Sequence, residues 1–198
     1  WQLLGQQVLM GKMNLPAEVL GAKDFSSLPP ILGELAELKA GMLRGAQLTT
    51  EQQQRVASVT PYNLDAWDGY PVEREMLYGM ARQQGKQLVV LAGDTHNAWH
   101  SSLLDQEGHH VGVELATPSV SSPGMETYFG TTGEQALQLA DALTVLVDDL
   151  HYCNLHQRGY LVLTVTAQAL EADWRFVDTV TEREYRAVDA HRQMIPAW

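Results

Sequence analysis

The chain of 198 residues is long enough to bury one sizeable core, and its 45% hydrophobic and 19% charged content is ordinary for a globular domain. A net charge of −11 argues against a protein that grips a phosphate backbone, which needs a basic footprint, and against reliance on an anionic membrane surface. The single cysteine, Cys153, excludes an internal disulfide and a cysteine-cluster zinc site, and no apolar run approaches the roughly 18 residues a membrane span needs.

The chain opens on Trp1, inside an apolar segment and without an initiator Met or a leader, so a fragment of a longer polypeptide is expected. Residues 1–10, WQLLGQQVLM, carry apolar residues in bursts and predict a buried strand. Residues 11–30 show mixed turn signals without periodicity and predict a loop. Pro29-Pro30 opens a helix over 31–44, with Leu32, Leu35, Met42 and Leu43 near a helical period and Gly45 as its stop. Thr49 or Thr50 caps a short helix over 51–58, in a Thr-x-x-Gln pattern resembling a capping box. Residues from about 11 to 60 thus read as a loop-and-helix insertion between two strands.

The segment 63–71, NLDAWDGYP, is turn-rich and aromatic, and a helix follows over 72–84, ended by Gly85. A short buried strand, LVVLA, then occupies 88–92, which makes a helix-to-strand unit of α/β type. The stretches 99–104 and 111–116 flank a turn at 105–108 and predict a hairpin. A small-residue loop over 117–130 precedes a helix over 133–150. A second antiparallel hairpin is expected from 160–166 and 169–177, and 183–198 reads as a polar tail, helical at most. The fold class is therefore α/β, with the strands at 1–10 and 88–92 central and the later hairpins forming a largely antiparallel second sheet.

Chemistry concentrates where the 88–92 strand stops. Gly93 breaks it, and Asp94, His96 and Asn97 follow at once. A carboxylate and an imidazole two residues apart, at the carboxyl end of a buried strand, can both reach a metal or a phosphoryl group. Gly-Asp is also a common turn dipeptide, and two ligands fall short of the roughly six a di-metal centre takes. His100 points away from the loop if the strand resumes at Ala98. In NLDAWDGYPVER, Trp67 and Tyr70 would wall a cleft while Asp68 or Arg74 braces a loop; equally, the segment is a plain turn that starts a helix at Pro71. Ser119, Ser121 and Ser122 have neither a Gly-x-Ser-x-Gly elbow nor a paired His, so a loop bordering the site is expected there. His109 and His110 fall on the predicted hairpin tip, and His151, Cys153 and His156 match no zinc spacing.

WQLLGQQVLM, NLDAWDGYP with Arg74, LAGDTHNAWH, ELATPSVSSPG, and RGYLVLTV with ADWRFVD stand in the order found in PhoD-like alkaline phosphatases. The chain resembles that family, part of the calcineurin-like metallophosphatase superfamily, over nearly its whole length outside 14–58. The resemblance implies part of a four-layer α/β sandwich, with mixed sheets and a binuclear site at strand ends holding two divalent or trivalent ions (Fe, Ca, Mn or Zn). It gives Asp94 and His96 as metal ligands of a Gly-Asp-x-His motif. Asn97, Trp67, Asp68, Tyr70 and Arg74 become residues of the substrate cleft or its support. A small-molecule phosphoester, monoester or diester, would be hydrolysed by a metal-activated water attacking phosphorus in line, with no side-chain nucleophile. The protein would be periplasmic or secreted, with neither nucleic acid nor membrane span involved.

The family's Asp-rich motifs and metal-binding cysteine lie upstream of the segment matching Trp1. Residues 1–198 are therefore expected to be the C-terminal part of one metallophosphatase domain, carrying half a metal site. Its partner would be the missing N-terminal part of the same polypeptide, and alone it would be weakly active or inactive. Two other readings are a non-catalytic structural or binding module that keeps the fold, and a serine hydrolase built on TPSVSSPG.

Overall fold

Three strands buried over most of their length, flanked by two edge strands, build the sheet that carries the candidate site. In the computed structural model, which describes residues 1–197 apart from 23 and 132 and only the backbone of 189 and 190, this sheet has the order β1-β4-β6-β5-β7. Its strands are β1 (Gln2–Gly5), β4 (Leu88–Ala92), β5 (Ala98–Leu104), β6 (His110–Ala116) and β7 (Leu150–Asn154). Both β1 and β6 run parallel to β4, whereas β5 lies antiparallel between β6 and β7. A second sheet of order β10-β9-β8 is wholly antiparallel, from β8 (Arg158–Val165), β9 (Ala169–Val177) and β10 (Ala187–Pro196). A two-stranded ribbon pairs β2 (Asn14–Pro16) with β3 (Val59–Pro61).

The period-two pattern of β4 explains the layers. Leu88, Val90 and Ala92 point to one face, where the helices pack; Val89 and Leu91 point to the other, where the second sheet packs. The helical layer consists of α1 (Ala17–Leu20), α2 (Leu28–Leu43), α3 (Thr50–Ala57), α4 (Pro71–Gln83), α5 (Met125–Phe129) and α6 (Glu134–Leu146). On the opposite face Leu170, Ala172, Trp174 and Phe176 of β9 press against Val89, Val113 and Leu115, and Trp174 Nε1 donates to the Ala116 carbonyl at 2.9 Å. The described residues thus make a helix–sheet–sheet arrangement, a mixed α/β fold. None of the described helices is long and apolar enough to cross a membrane.

Local signals that carry their own chemistry are where the sequence placed them. Pro29 and Pro30 lie in the first turn of α2, and Thr49 caps α3 in a capping box with Gln52. The differences lie where pairing is long-range. The segment 1–10 forms an edge strand rather than a central one; Gln2, Leu3 and Gly5 are exposed, and its apolar burst is buried at Leu9 and Met10, after the strand ends. The loop expected over 11–30 contains β2 and α1, because Leu15 and Pro16 are buried by pairing with β3, more than forty residues on. The hairpin β5–β6 joins the first sheet, not the second. The helix over 133–150 ends at Leu146, and β7 follows with Leu150 and Cys153 buried. The tail is no helix: β10 pairs with β9 along its length, its alternation broken by a register shift between Asp189 and His191.

Candidate functional site

β4 delivers its chain to the loop Gly93–Asn97, whose turn is held from every side. Gly93 N donates to the Gln7 carbonyl at 3.0 Å, and Thr95 N to the Gly93 carbonyl at 2.7 Å. Trp99 Nε1 reaches Thr95 Oγ1 at 2.8 Å, four residues along. Asn97 is fully buried and makes two bonds, Nδ2 to the Leu155 carbonyl (2.7 Å) and Oδ1 from Met125 N (3.2 Å). A side chain at Gly124 would meet Asn97 Nδ2 at 2.4 Å, so the close approach of α5 to the loop depends on glycine there. Glu126 completes the clamp, accepting from Gly124 N and pairing with Arg158 of β8.

With Thr95 and Asn97 tied down, Asp94 and His96 project outward and are exposed. Both adopt left-handed backbone, φ 63° and 59°, the only described non-glycine residues to do so. That conformation costs about 1–2 kcal/mol per residue, and Asp and His tolerate it better than most. Each side chain is oriented by one bond. Gln7 Nε2 donates to Asp94 Oδ1 at 3.2 Å, and His96 Nδ1 lies 2.9 Å from the Pro123 carbonyl oxygen.

The pair lines a cleft of about 550 Å³, together with Asn63 and Thr95. Its other walls come from the α1–α2 segment and the α5–α6 segment. Tyr62 lies in its wall, and burial pushes its hydroxyl pKa up, with Tyr128 and Asp94 adding to the effect. The cleft is bordered by Tyr62, Asn63 and α5; neither Trp67 nor the serines of 119–122 line it. His96 meets that serine loop only through Pro123.

The other sequence candidates sit behind the site. Trp67 Nε1 donates to Gln6 Oε1 at 3.1 Å, steadying the residue next to Gln7. Asp68 accepts from Met13 N at 2.8 Å and pairs with Arg74 at 2.6 Å; both side chains are buried, and Arg74 also donates to the Met10 carbonyl. Tyr70 is exposed and lines no part of the cleft. Asp68 and Arg74 therefore brace the chain between β1 and β2, and Asp68 also lines a small cavity shared with Asp94 and Asn63.

Glu114 belongs to the same brace and escaped sequence reasoning. It is buried on β6 and accepts from Met10 N at 2.6 Å and Gly11 N at 2.9 Å. Burial pushes its pKa up to about 7, the two amides and Arg74 opposing the rise and Asp68 adding to it. A carboxylate inside the apolar run VGVELA was the available signal.

Among the described residues the one group of three potential ligands within reach of a common ion is Asp105, Glu107 and His109. It lies at the far end of β5, about 20 Å from the Asp94 loop at roughly 3.3 Å per residue, and Asp105 is already paired with Arg82 and His109. His100 packs on the opposite sheet face near Trp174 and His151, and burial with two neighbouring imidazoles lowers its pKa to about 4. Cys153 is buried, with its thiol pKa pushed up by desolvation, and donates to the Ala140 carbonyl. Ser119 donates to the Ser122 carbonyl; the described serine–histidine hydrogen bond, Ser102 to His151 at 2.6 Å, is on the β5–β7 surface.

The comparisons with known proteins bear on the family and the fold of this chain. Residues 1–174 match the PhoD-like phosphatase family, and the chain belongs to that family. It is 32% identical over 124 residues to Alkaline phosphatase D of Bacillus subtilis (strain 168), covering 61% of this chain and 20% of the relative. A solved structure described as "Structure of PhoD" superimposes with a TM-score of 0.60 at 20% identity, covering 98% of this chain and 29% of that one, a likeness of fold. The chain thus spans 20% of the curated relative's length and 29% of the solved chain's.

Proposed function

We propose that this chain supplies part of the site of a metal-dependent phosphoester hydrolase, with Asp94 and His96 as its metal ligands. One observation carries the reading. The Pro123 carbonyl can only accept, so its bond to His96 Nδ1 places the proton there and leaves the lone pair on Nε2. Metal-binding histidines are held in this way, one ring nitrogen donating to a backbone carbonyl while the other ligates. The Asp94 carboxylate, steadied through Oδ1 by Gln7, is the hard oxygen donor beside it.

Two ions drawn from Fe, Ca, Mn or Zn, when bound, would supply positive charge for the phosphate oxygens and acidify a water for attack on phosphorus. The chain's own part is to hold and orient. Asn97 and Gly124 lock the loop against α5, and Gln7 and Pro123 fix the two side chains before any ligand arrives. Asp68, Arg74 and Glu114 hold the segment after β1, whose neighbour Gln7 touches Asp94.

Two side chains fall short of the roughly six ligands of a binuclear centre. We therefore propose that the remaining ligands come from another part of the same polypeptide, and that the 198-residue chain alone binds metal weakly and turns over slowly. The same shortage supports a second reading, a non-catalytic module that keeps the fold. Hydrolysis of p-nitrophenyl phosphate and bis-p-nitrophenyl phosphate, with each metal added, separates them in the whole polypeptide and in the chain. Metal-dependent turnover of the whole polypeptide that Asp94→Asn or His96→Gln abolishes supports the enzyme. Turnover that ignores chelators, or that survives both substitutions, sinks it. Full turnover by the chain alone would refute the partial site. We further place the polypeptide in the periplasm or outside the cell; retention in the cytosol on fractionation contradicts this.

A further inference from the structure

We infer that the cleft beside Asp94 and His96 seats an alkyl or aryl group esterified to the phosphate, with the phosphoryl end at the loop and the apolar group between the two helical segments. This names the substrate class of the proposed hydrolase and rests on that reading of Asp94 and His96. The cleft's volume of about 550 Å³ is of the size that holds a whole organic ligand and far exceeds what a phosphate needs. The groups able to meet a charged or hydrogen-bonding ligand are few: Asn63, Asp94, Thr95 and His96, with the hydroxyls of Tyr62 and Tyr128.

Beyond them the walls are apolar, with Val19 and Leu32 on one side and Met125 and Phe129 on the other. No lysine or arginine is among the described lining residues, so a second anionic group finds no partner there. The rim adds an independent sign. Phe25 and Tyr128 line the cleft yet remain 60% and 70% exposed, and Phe25 meets Phe129 edge-on at 6.5 Å. Aromatic side chains left in water at the mouth of an apolar cleft are what a hydrophobic guest would cover.

The test measures binding of methyl-, butyl- and octylphosphonate, and of 1-octanol, to the whole polypeptide by calorimetry with Mn²⁺ present. Affinity is expected to rise about threefold to fourfold per methylene over the first carbons. The double variant Phe25→Ser with Tyr128→Ser, at exposed positions that leave the core intact, should flatten that rise and leave methylphosphonate unchanged. Asp94→Asn should weaken every phosphonate and leave 1-octanol unchanged. If octylphosphonate binds no better than methylphosphonate, the apolar subsite is refuted while the metal-site reading stands. If chain length matters but neither Mn²⁺, Asp94→Asn nor the phosphonate group does, the cleft binds apolar molecules unconnected with phosphoesters, and the proposal is overturned from the other side.

Discussion

Replacing Glu114 with glutamine should change how stability depends on pH. The folded carboxyl has a pKa of about 7 against 4.5 for the free group, because β6 holds it in a fully buried position. A raised carboxyl pKa means that the folded state binds the proton more tightly than the unfolded one. The stability it contributes is present below pH 4.5 and is lost as pH rises through 7. At about 1.4 kcal/mol per pKa unit, the loss is about 3 kcal/mol. His100 works the other way. Its folded pKa of about 4 lies below the ordinary 6.5, so its contribution is complete above pH 6.5 and is lost as pH falls to 4, again by about 3 kcal/mol. Between pH 4.5 and 6.5 the two slopes oppose and largely cancel in the parent. Urea unfolding of the parent, Glu114→Gln and His100→Gln, at constant ionic strength from pH 4 to 8, exposes each slope in turn. Groups common to both proteins drop out of a difference curve. The parent-minus-Glu114→Gln curve should fall by about 3 kcal/mol from pH 4.5 to beyond 7, and a curve that stays flat or climbs refutes the argument.

Removing Asp68 leaves the Arg74 guanidinium buried without its partner. Asp68→Ala should therefore cost about 3–5 kcal/mol, read as a lower urea midpoint, with part of the loss recovered by adding Arg74→Met. Asn97→Ala deletes both bonds that tie the loop to α5 and Leu155. It should cost about 2–3 kcal/mol and speed hydrogen exchange at the Met125 amide; unchanged protection there would show that α5 is held by other contacts. At Gly69 a methyl group would sit 1.9 Å from the Leu64 carbonyl oxygen, so Gly69→Ala should lower the thermal midpoint by an amount worth about 1–3 kcal/mol. A neutral effect would mean that the Trp67 turn shifts freely.

The loop after β4 was legible because its signals are local: an apolar run, a breaking glycine, then two ligand types side by side. The same holds for α3, whose capping box is written in four residues. β10 was missed because its pairing with β9 follows a nine-residue link without a tight-turn signature, and a register shift breaks its alternation. β2 was missed because it is three residues long and gains its partner across α2 and α3. The cleft escaped for the same reason. Val19 and Leu32 face Met125 and Phe129 only once distant segments meet, and nothing within either segment announces the other. Trp67 was placed at a cleft wall by its aromatic character, whereas its indole packs against the β1 side of the sheet near Leu4 and Leu77.

The left-handed backbone at Asp94 and His96 limits what substitution can do at these two positions, quite apart from chemistry. Small polar residues and glycine fit that geometry, whereas valine, isoleucine or threonine would force the loop open. A descendant that no longer needed the carboxylate and the imidazole would thus drift first to asparagine or glycine, keeping the bend while discarding the donors. An engineer replacing these two residues faces the same short menu, so new functions at this corner are more readily introduced on α5 or at Asn63 than on the turn itself.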